Sequence, residues 1–207
     1  MTEFNEKQIE ILQAAEKLFA ENGFDGTSVR DIAKQANINI AMISYYFGSK
    51  EKLLDALVVY RTSDLKVQLD NILDETLSPM EKIDRFIDLY IHRINRNKCV
   101  YQIVHTELAN KKRILDIKTF TKVKKKNLSY LQQIIEEGQQ QGIFKKGINI
   151  PMIPPTIIGT FLHFHNNKIF FIDLLGLESE EAYENYLKNE VVNHIKQTIK
   201  ALLVHGN

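Results

Sequence analysis

The stretch Thr27-Ser28-Val29-Arg30-Asp31-Ile32-Ala33-Lys34-Gln35-Ala36-Asn37-Ile38-Asn39-Ile40-Ala41-Met42-Ile43-Ser44-Tyr45-Tyr46-Phe47-Gly48-Ser49-Lys50 decides the fold. Ser28 is placed to cap a short helix, with Asp31 three residues on as the reciprocal partner, and Val29, Ile32, Ala33 and Ala36 recur at helical spacing on one face. Asn37 follows, and asparagine tolerates the left-handed backbone of a sharp turn between helices. Asn39 then caps a second short helix. Two short helices joined by a three-to-four-residue turn form a helix-turn-helix. Ala33 is small where the helices nearly touch, and Ile38 and Ile43 anchor the second helix. That leaves Asn39, Ile40, Ala41, Met42, Ser44 and Tyr45 largely outside the core. An exposed Ile40-Ala41-Met42 at a helix start suits a face that meets thymine methyls in a major groove. Tyr45 and Tyr46 can donate to phosphate oxygens, and Lys50 adds positive charge at the start of the next helix, itself an anion site.

Working outward, Ile9, Leu12, Ala15, Leu18 and Phe19 predict an amphipathic helix over 6–22, stopped by Gly23. Ser49 opens a helix carrying Leu53, Leu54, Leu57 and Val58 that runs to about residue 74. Ser78-Pro79-Met80-Glu81 combines an N-cap, proline at the first helical position and a capping glutamate, so another helix starts there. Helices at about 98–109 and 115–141 follow, then a loop at 145–151, then apolar helices at 153–174 and 180–204, the last opened by Ser179, Glu180 and Glu181. No strand alternation and no repeat interrupts this. The expectation is an all-α chain of about nine helices, divided at residue 50 into 1–50 and 51–207.

Composition agrees with that class. The 207 residues are 44% apolar and 26% charged, with only 9 glycines and 4 prolines, too few turn-formers for a β-sandwich. The single cysteine, Cys99, can form no internal disulfide and reads as a small buried hydrophobe in a reducing compartment. The first residues lack the basic start and apolar core of a secretory signal. The most apolar stretch, 152–175, is broken by prolines, histidines, asparagines, a lysine and an aspartate, so it is no membrane span. A cytoplasmic location is expected. No nucleophile elbow, phosphate-binding glycine loop or metal-ligand spacing occurs, and His163 and His165 point about 200° apart on a helix. No enzyme activity, metal or cofactor is therefore expected.

The run Ile11-Leu12-x-Ala14-Ala15, Leu18-Phe19, Gly23-Phe24, Thr27-Ser28-Val29-x-Asp31-Ile32-Ala33 and Ile43-Ser44-Tyr45-Tyr46-Phe47-Gly48-Ser49-Lys50-Glu51-x-Leu53-Leu54 closely resembles the N-terminal domain of TetR-family transcriptional regulators. Gly138-x-x-x-Gly142-x-Phe144 resembles a segment further along in the same family. The resemblance implies a cytoplasmic homodimer whose heads bind a palindromic operator, and whose larger domain binds a small-molecule effector that releases the DNA. It implies that Thr27, Tyr45, Tyr46 and Lys50 contact phosphates, and that Asn39, Ile40, Ala41, Met42 and Ser44 face bases. Asn37 stands where many members have glycine, and Ile40 replaces a commonly polar residue, so base preference does not carry over. The dimer is expected through 153–174 and 180–204, packed as a four-helix bundle.

Charge argues for modest DNA affinity. The whole chain has 27 Lys plus Arg against 26 Asp plus Glu, and residues 1–52 hold six basic and eight acidic side chains. The acids cluster on the first helix, leaving a positive field around Arg30, Lys34, Lys50 and Lys52. The basic run through 111–113 and 118–126 reads as a solvated face, with a DNA flank or an acidic partner surface as the alternatives. For the effector, Tyr90, Tyr101, His105, Phe120, Tyr130, Phe161 and His163, with Phe164 and Phe170, are candidates to border an apolar pocket with a few polar handles. The alternatives to a ligand-released repressor are an activator or partner-dependent regulator without an effector, and a helical binding or enzymatic protein that keeps the head as scaffold.

Overall fold

The computed structural model describes residues 4–62, 65–109 and 117–204. Among them the chain forms α-helices and no strands: α1 (Glu6–Asn22), α2 (Val29–Gln35), α3 (Ile40–Phe47), α4 (Lys50–Thr62), α5 (Leu65–Asp74), α6 (Pro79–Arg96), α7 (Lys98–Ala109), α8 (Ile117–Gln140), α9 (Ile153–Asn166), α10 (Lys168–Leu175), α11 (Glu180–Tyr186) and α12 (Val192–Leu203). They group into two compact units, residues 1–66 with 96–125, and residues 67–95 with 126–207.

In the first unit, the inward faces of α1 to α4 close over a core of Leu12, Phe19, Ile32, Ile43, Leu53 and Leu57. Each such side chain contributes about 1.5–3 kcal/mol by leaving water. Helix α7 packs on α1 and α4 and adds Val100, Ile103 and Val104 to this core. The packing unit around the helix-turn-helix is therefore larger than residues 1–50. Cys99 lies off that inward stripe and is exposed, correcting the expectation of a buried thiol. The expected caps are present. The Ser28 and Asp31 side chains each accept from the other's backbone N–H, at 3.2 and 2.9 Å; the Ser28 hydroxyl, which donates to the Asp31 carboxylate at 2.6 Å, and then the Ser28 N–H hold that carboxyl below its ordinary range. A capping box that periodicity did not suggest, Asn5 with Gln8, starts α1.

In the second unit, Ser78 and Glu81 cap α6 as expected. Ion pairs Lys196–Asp88 and Lys200–Asp84, both 2.7 Å, join α12 to α6 one helical turn apart. Two differences from the expected helices matter. The segment 153–174 is not continuous: at Asn167 the backbone leaves helical geometry, and its side-chain amide and backbone N–H both donate to the His163 carbonyl, at 2.8 and 3.1 Å. The segment 180–204 is likewise divided by a π turn at Leu187–Val191. These two breaks divide the last two expected helices, and the described residues carry twelve α-helices where nine were expected.

Candidate nucleic-acid interface

The geometry of α2 and α3 follows from three local features. Asn37 has φ of +50°, the left-handed conformation that the turn requires. Its N–H donates to the Lys34 carbonyl at 3.2 Å and the Ile38 N–H to the Ala33 carbonyl at 3.0 Å, which closes α2. Asn39 caps α3 by accepting from the Ala41 N–H at 2.9 Å. Ile43 and Phe47, one turn apart, then fasten α3 to the core.

The opposite face of α3 carries no such anchors. Asn39, Ala41 and Ser44 are exposed, Ile40 is 40% exposed and Tyr45 83% exposed, while Met42 is half-buried. Tyr46 is half-buried against the head core, with its ring edge-on to Tyr45 at 5.1 Å between centroids. Leaving isoleucine, alanine and tyrosine together on a solvent face costs hydration free energy that a groove surface with base edges and methyls would recover. Arg30, Lys34 and Lys52 are exposed nearby in the chain. The acids of α1 are partly offset: Glu16 pairs with Arg61 at 2.5 Å, and Glu10 with Lys7 at 2.6 Å.

Two expected phosphate contacts have other roles in this structure. Thr27 is 1% exposed, and its hydroxyl donates to the Gly23 carbonyl at 2.8 Å and to that of Leu18 at 3.0 Å, so it secures the α1–α2 connection. The Lys50 ammonium donates to the carbonyls of Phe24 and Thr27, at 2.8 and 2.7 Å, and sits 4.3 Å from the centre of the Phe24 ring. It braces the start of α4 against the loop before α2. The family resemblance implied contact for both, and for Lys50 so did its charge at a helix start; backbone carbonyls between Leu18 and Thr27 that need donors explain why the side chains turn inward. Lys50→Met keeps the stem over Phe24 and removes the donors. It is expected to lower stability by about 1–3 kcal/mol, as for hydrogen bonds from a charged donor. Operator affinity should fall with it, while the slope of log affinity against log salt stays unchanged; a phosphate contact would instead reduce that slope by about 1 per head.

The residues considered for an effector belong to both units. Tyr101 is half-buried and His105 exposed in the first unit, and the Phe120 side chain lies outside the described residues. In the second unit Tyr90 is buried and stacked on Phe86, and Phe161 is buried. The Tyr130 hydroxyl donates to Asp70 at 2.6 Å; burial, with that carboxylate, pushes it up to about 12. These are core positions, which aromatic residues at helical spacing cannot reveal in sequence. His163 borders an open cavity of about 790 Å³, formed by α9, α10, α11, the π turn and α12. Its walls include Phe164, named earlier beside the candidates, and Phe171, Tyr186, Glu190, His194 and Gln197, which sequence reasoning missed. The three- and four-residue steps from Glu190 to His194 and Gln197, a polar stripe on an apolar helix, were the available signal. No cluster of three metal-ligating side chains occurs among the described residues, and no helix there is long and apolar enough to cross a membrane. Lys111, Lys112 and Arg113 of the basic run lie outside the described residues.

Comparison with known proteins agrees with this geometry. Residues 11–57 match the family model described as bacterial regulatory proteins, tetR family, and residues 79–200 match the tetracyclin repressor-like C-terminal domain. The chain is 26% identical to the HTH-type transcriptional repressor KstR2 of Mycobacterium tuberculosis, covering 72% of this chain and 74% of that one. It is 27% identical to the fatty acid metabolism regulator protein of Bacillus subtilis, over 74% and 79% of the two. In fold it is similar to the transcriptional regulator FadR from Bacillus subtilis, solved in complex with stearoyl-CoA, with a TM-score of 0.74, 21% identity and coverage of 95% and 99%.

Proposed function

Because this chain belongs to the tetR family of bacterial regulatory proteins, a family of regulators rather than enzymes, we propose that it is a ligand-released repressor that binds a palindromic operator as a homodimer. The observation that carries the reading is the outer face of α3, where Asn39, Ile40, Ala41, Ser44 and Tyr45 stand exposed on a helix fixed from behind by Ile43 and Phe47. In this reading Asn39, Ile40, Ala41, Met42 and Ser44 face bases, and Tyr45 and Tyr46 donate to phosphates. Residues 1–50 hold the DNA-reading function and 51–207 the effector and dimer functions. The protein works in the cytoplasm, beside its DNA.

The proposed dimer forms through 153–174 and 180–204. Support comes from α10, which has no buried residue and exposes Ile169, Phe170 and Leu174. These side chains, with Leu175, present on the order of 500 Å² of surface, the size of patch that marks an interaction site on a monomer. A two-fold axis there places two reading heads on half-sites of a palindrome about one helical turn apart or a multiple of it.

Release is a coupling between two sites and is reciprocal. Whatever factor the effector takes from operator affinity, saturating operator must take from effector affinity. Calorimetric titration of effector into free and operator-bound protein should give dissociation constants in that same ratio; equal constants would contradict release by ligand.

A further inference from the structure

The eight residues of α3 are Ile40-Ala41-Met42-Ile43-Ser44-Tyr45-Tyr46-Phe47, and none of them is arginine, lysine, asparagine, glutamine, aspartate or glutamate. Those are the side chains that read hydrogen-bonding patterns in a major groove. Arginine or lysine pairs with guanine O6 and N7, asparagine or glutamine with adenine N6 and N7, and a carboxylate with the cytosine amine. The helix therefore lacks every bidentate reader of a base. Asn39, just before it, does not make up for the loss. Its Oδ1 accepts from the Ala41 N–H at 2.9 Å, which commits to the cap the oxygen that would pair with adenine N6.

What the outer face offers instead is apolar surface. Ile40 is 40% exposed, Ala41 is exposed and Met42 is half-buried, at the end of the helix that meets base edges in this motif. The apolar feature that tells base pairs apart in the major groove is the C5 methyl of thymine. Ser44 and Tyr45 add hydroxyls, which donate or accept at any base or phosphate and single out none. The charged groups of the head stand on other elements. Arg30 and Lys34 are on α2, the helix that crosses the sugar-phosphate backbone in a helix-turn-helix, and Lys52 is on α4 with its side chain along Gly48. With the exposed amides of Gln35 and Asn37, they suit phosphates, which fix register without carrying sequence. We propose that the protein reads its operator through thymine methyl groups. Each half-site presents two or three thymines to Ile40, Ala41 and Met42, and α3 reads no guanine edge. This deepens the repressor reading and rests on it, since it requires α3 to lie in the groove. Ile40, the larger of the two exposed apolar side chains, sets the preference.

Deoxyuridine lacks that methyl and keeps the base pairing, so it isolates the contact. An operator selected from random duplexes by the full chain is resynthesised with each thymine replaced in turn, symmetrically in both half-sites, and titrated by anisotropy. At two or three positions per half-site the replacement should weaken binding about 15-fold, about fourfold for each of the two buried methyl groups. Elsewhere it should change affinity less than twofold, as should 7-deazaguanine, which removes the N7 acceptor of guanine. Ile40→Ala should weaken binding of the natural operator about tenfold and, at one of the sensitive positions, make thymine and deoxyuridine equivalent within twofold. Its unfolding midpoint should hold, because Ile40 is not among the residues of the head core. Equal affinity for the natural operator and one fully substituted with deoxyuridine would overturn the proposal, and on a thymine-rich site would mean that DNA shape is read instead. Loss of binding on 7-deazaguanine with indifference to deoxyuridine would overturn it in favour of a guanine contact from α2. If the protein selects no duplex at all, the repressor reading fails first and the proposal falls with it.

Discussion

Replacing Ala41 by glutamate is expected to lower operator affinity at least 100-fold, about 2.7 kcal/mol, while leaving the protein folded. Ala41 is exposed at the second position of α3, where a carboxylate interacts favourably with the helix dipole. Ala41 is not among the residues of the head core, so the thermal midpoint should hold or rise slightly. On DNA the same carboxylate enters a groove flanked by one phosphate charge for about every 1.7 Å of axis. The loss therefore separates binding from stability, which a substitution at Ile43 or Phe47 would not do. Anisotropy on a labelled operator, with calorimetric unfolding beside it, checks both halves. Unchanged affinity in a folded Ala41→Glu protein would mean that α3 does not lie in the groove.

The second large effect is on stability. Gly138, near the end of α8, accepts from the N–H groups of Ile143 and Phe144, at 2.8 and 3.0 Å, and this folds the chain back so that the Phe144 ring covers it. A Cβ at Gly138 would lie 2.1 Å from that ring, which is 3% exposed and fixed in the core. In an ordinary helix interior, glycine to alanine stabilises by about 1 kcal/mol. Here the sign reverses. Gly138→Ala should cost about 3 kcal/mol, the upper part of the overpacking range. For a chain of this size that lowers the unfolding temperature by roughly 6–12 °C. Combining it with Phe144→Leu should return part of the loss, because the smaller side chain leaves room for the methyl group. A Gly138→Ala protein as stable as wild type would show that Phe144 does not cover this glycine.

The head was legible because its signals are local. Ser28 with Asp31, Asn37 at the turn, Asn39 at the next cap and Ile43 behind the reading face each act within a few residues, and the structure shows each in place. The hydrogen bonds of Lys50 were not legible, because the brace joins residues 23 and 26 positions apart. The breaks at Asn167 and at the π turn escaped for a different reason. A shift of one residue barely changes a hydrophobic stripe of period 3.6, so 153–174 and 180–204 each read as one helix. The cavity depends on both breaks, since α10 and the π turn supply its walls. Helical spacing alone does not separate a buried aromatic residue such as Tyr90, Tyr130 or Phe161 from one that lines a cavity.

The most direct test of the central claim is footprinting of genomic fragments selected by the purified full chain at physiological salt, with Ala41→Glu carried in parallel. The expected result is a short palindrome protected by a dimer, with half-sites spaced by a helical turn or a multiple of it, and no protection by Ala41→Glu. Fragments with no common palindrome, or protection that Ala41→Glu leaves intact, would contradict a repressor that reads its operator through α3.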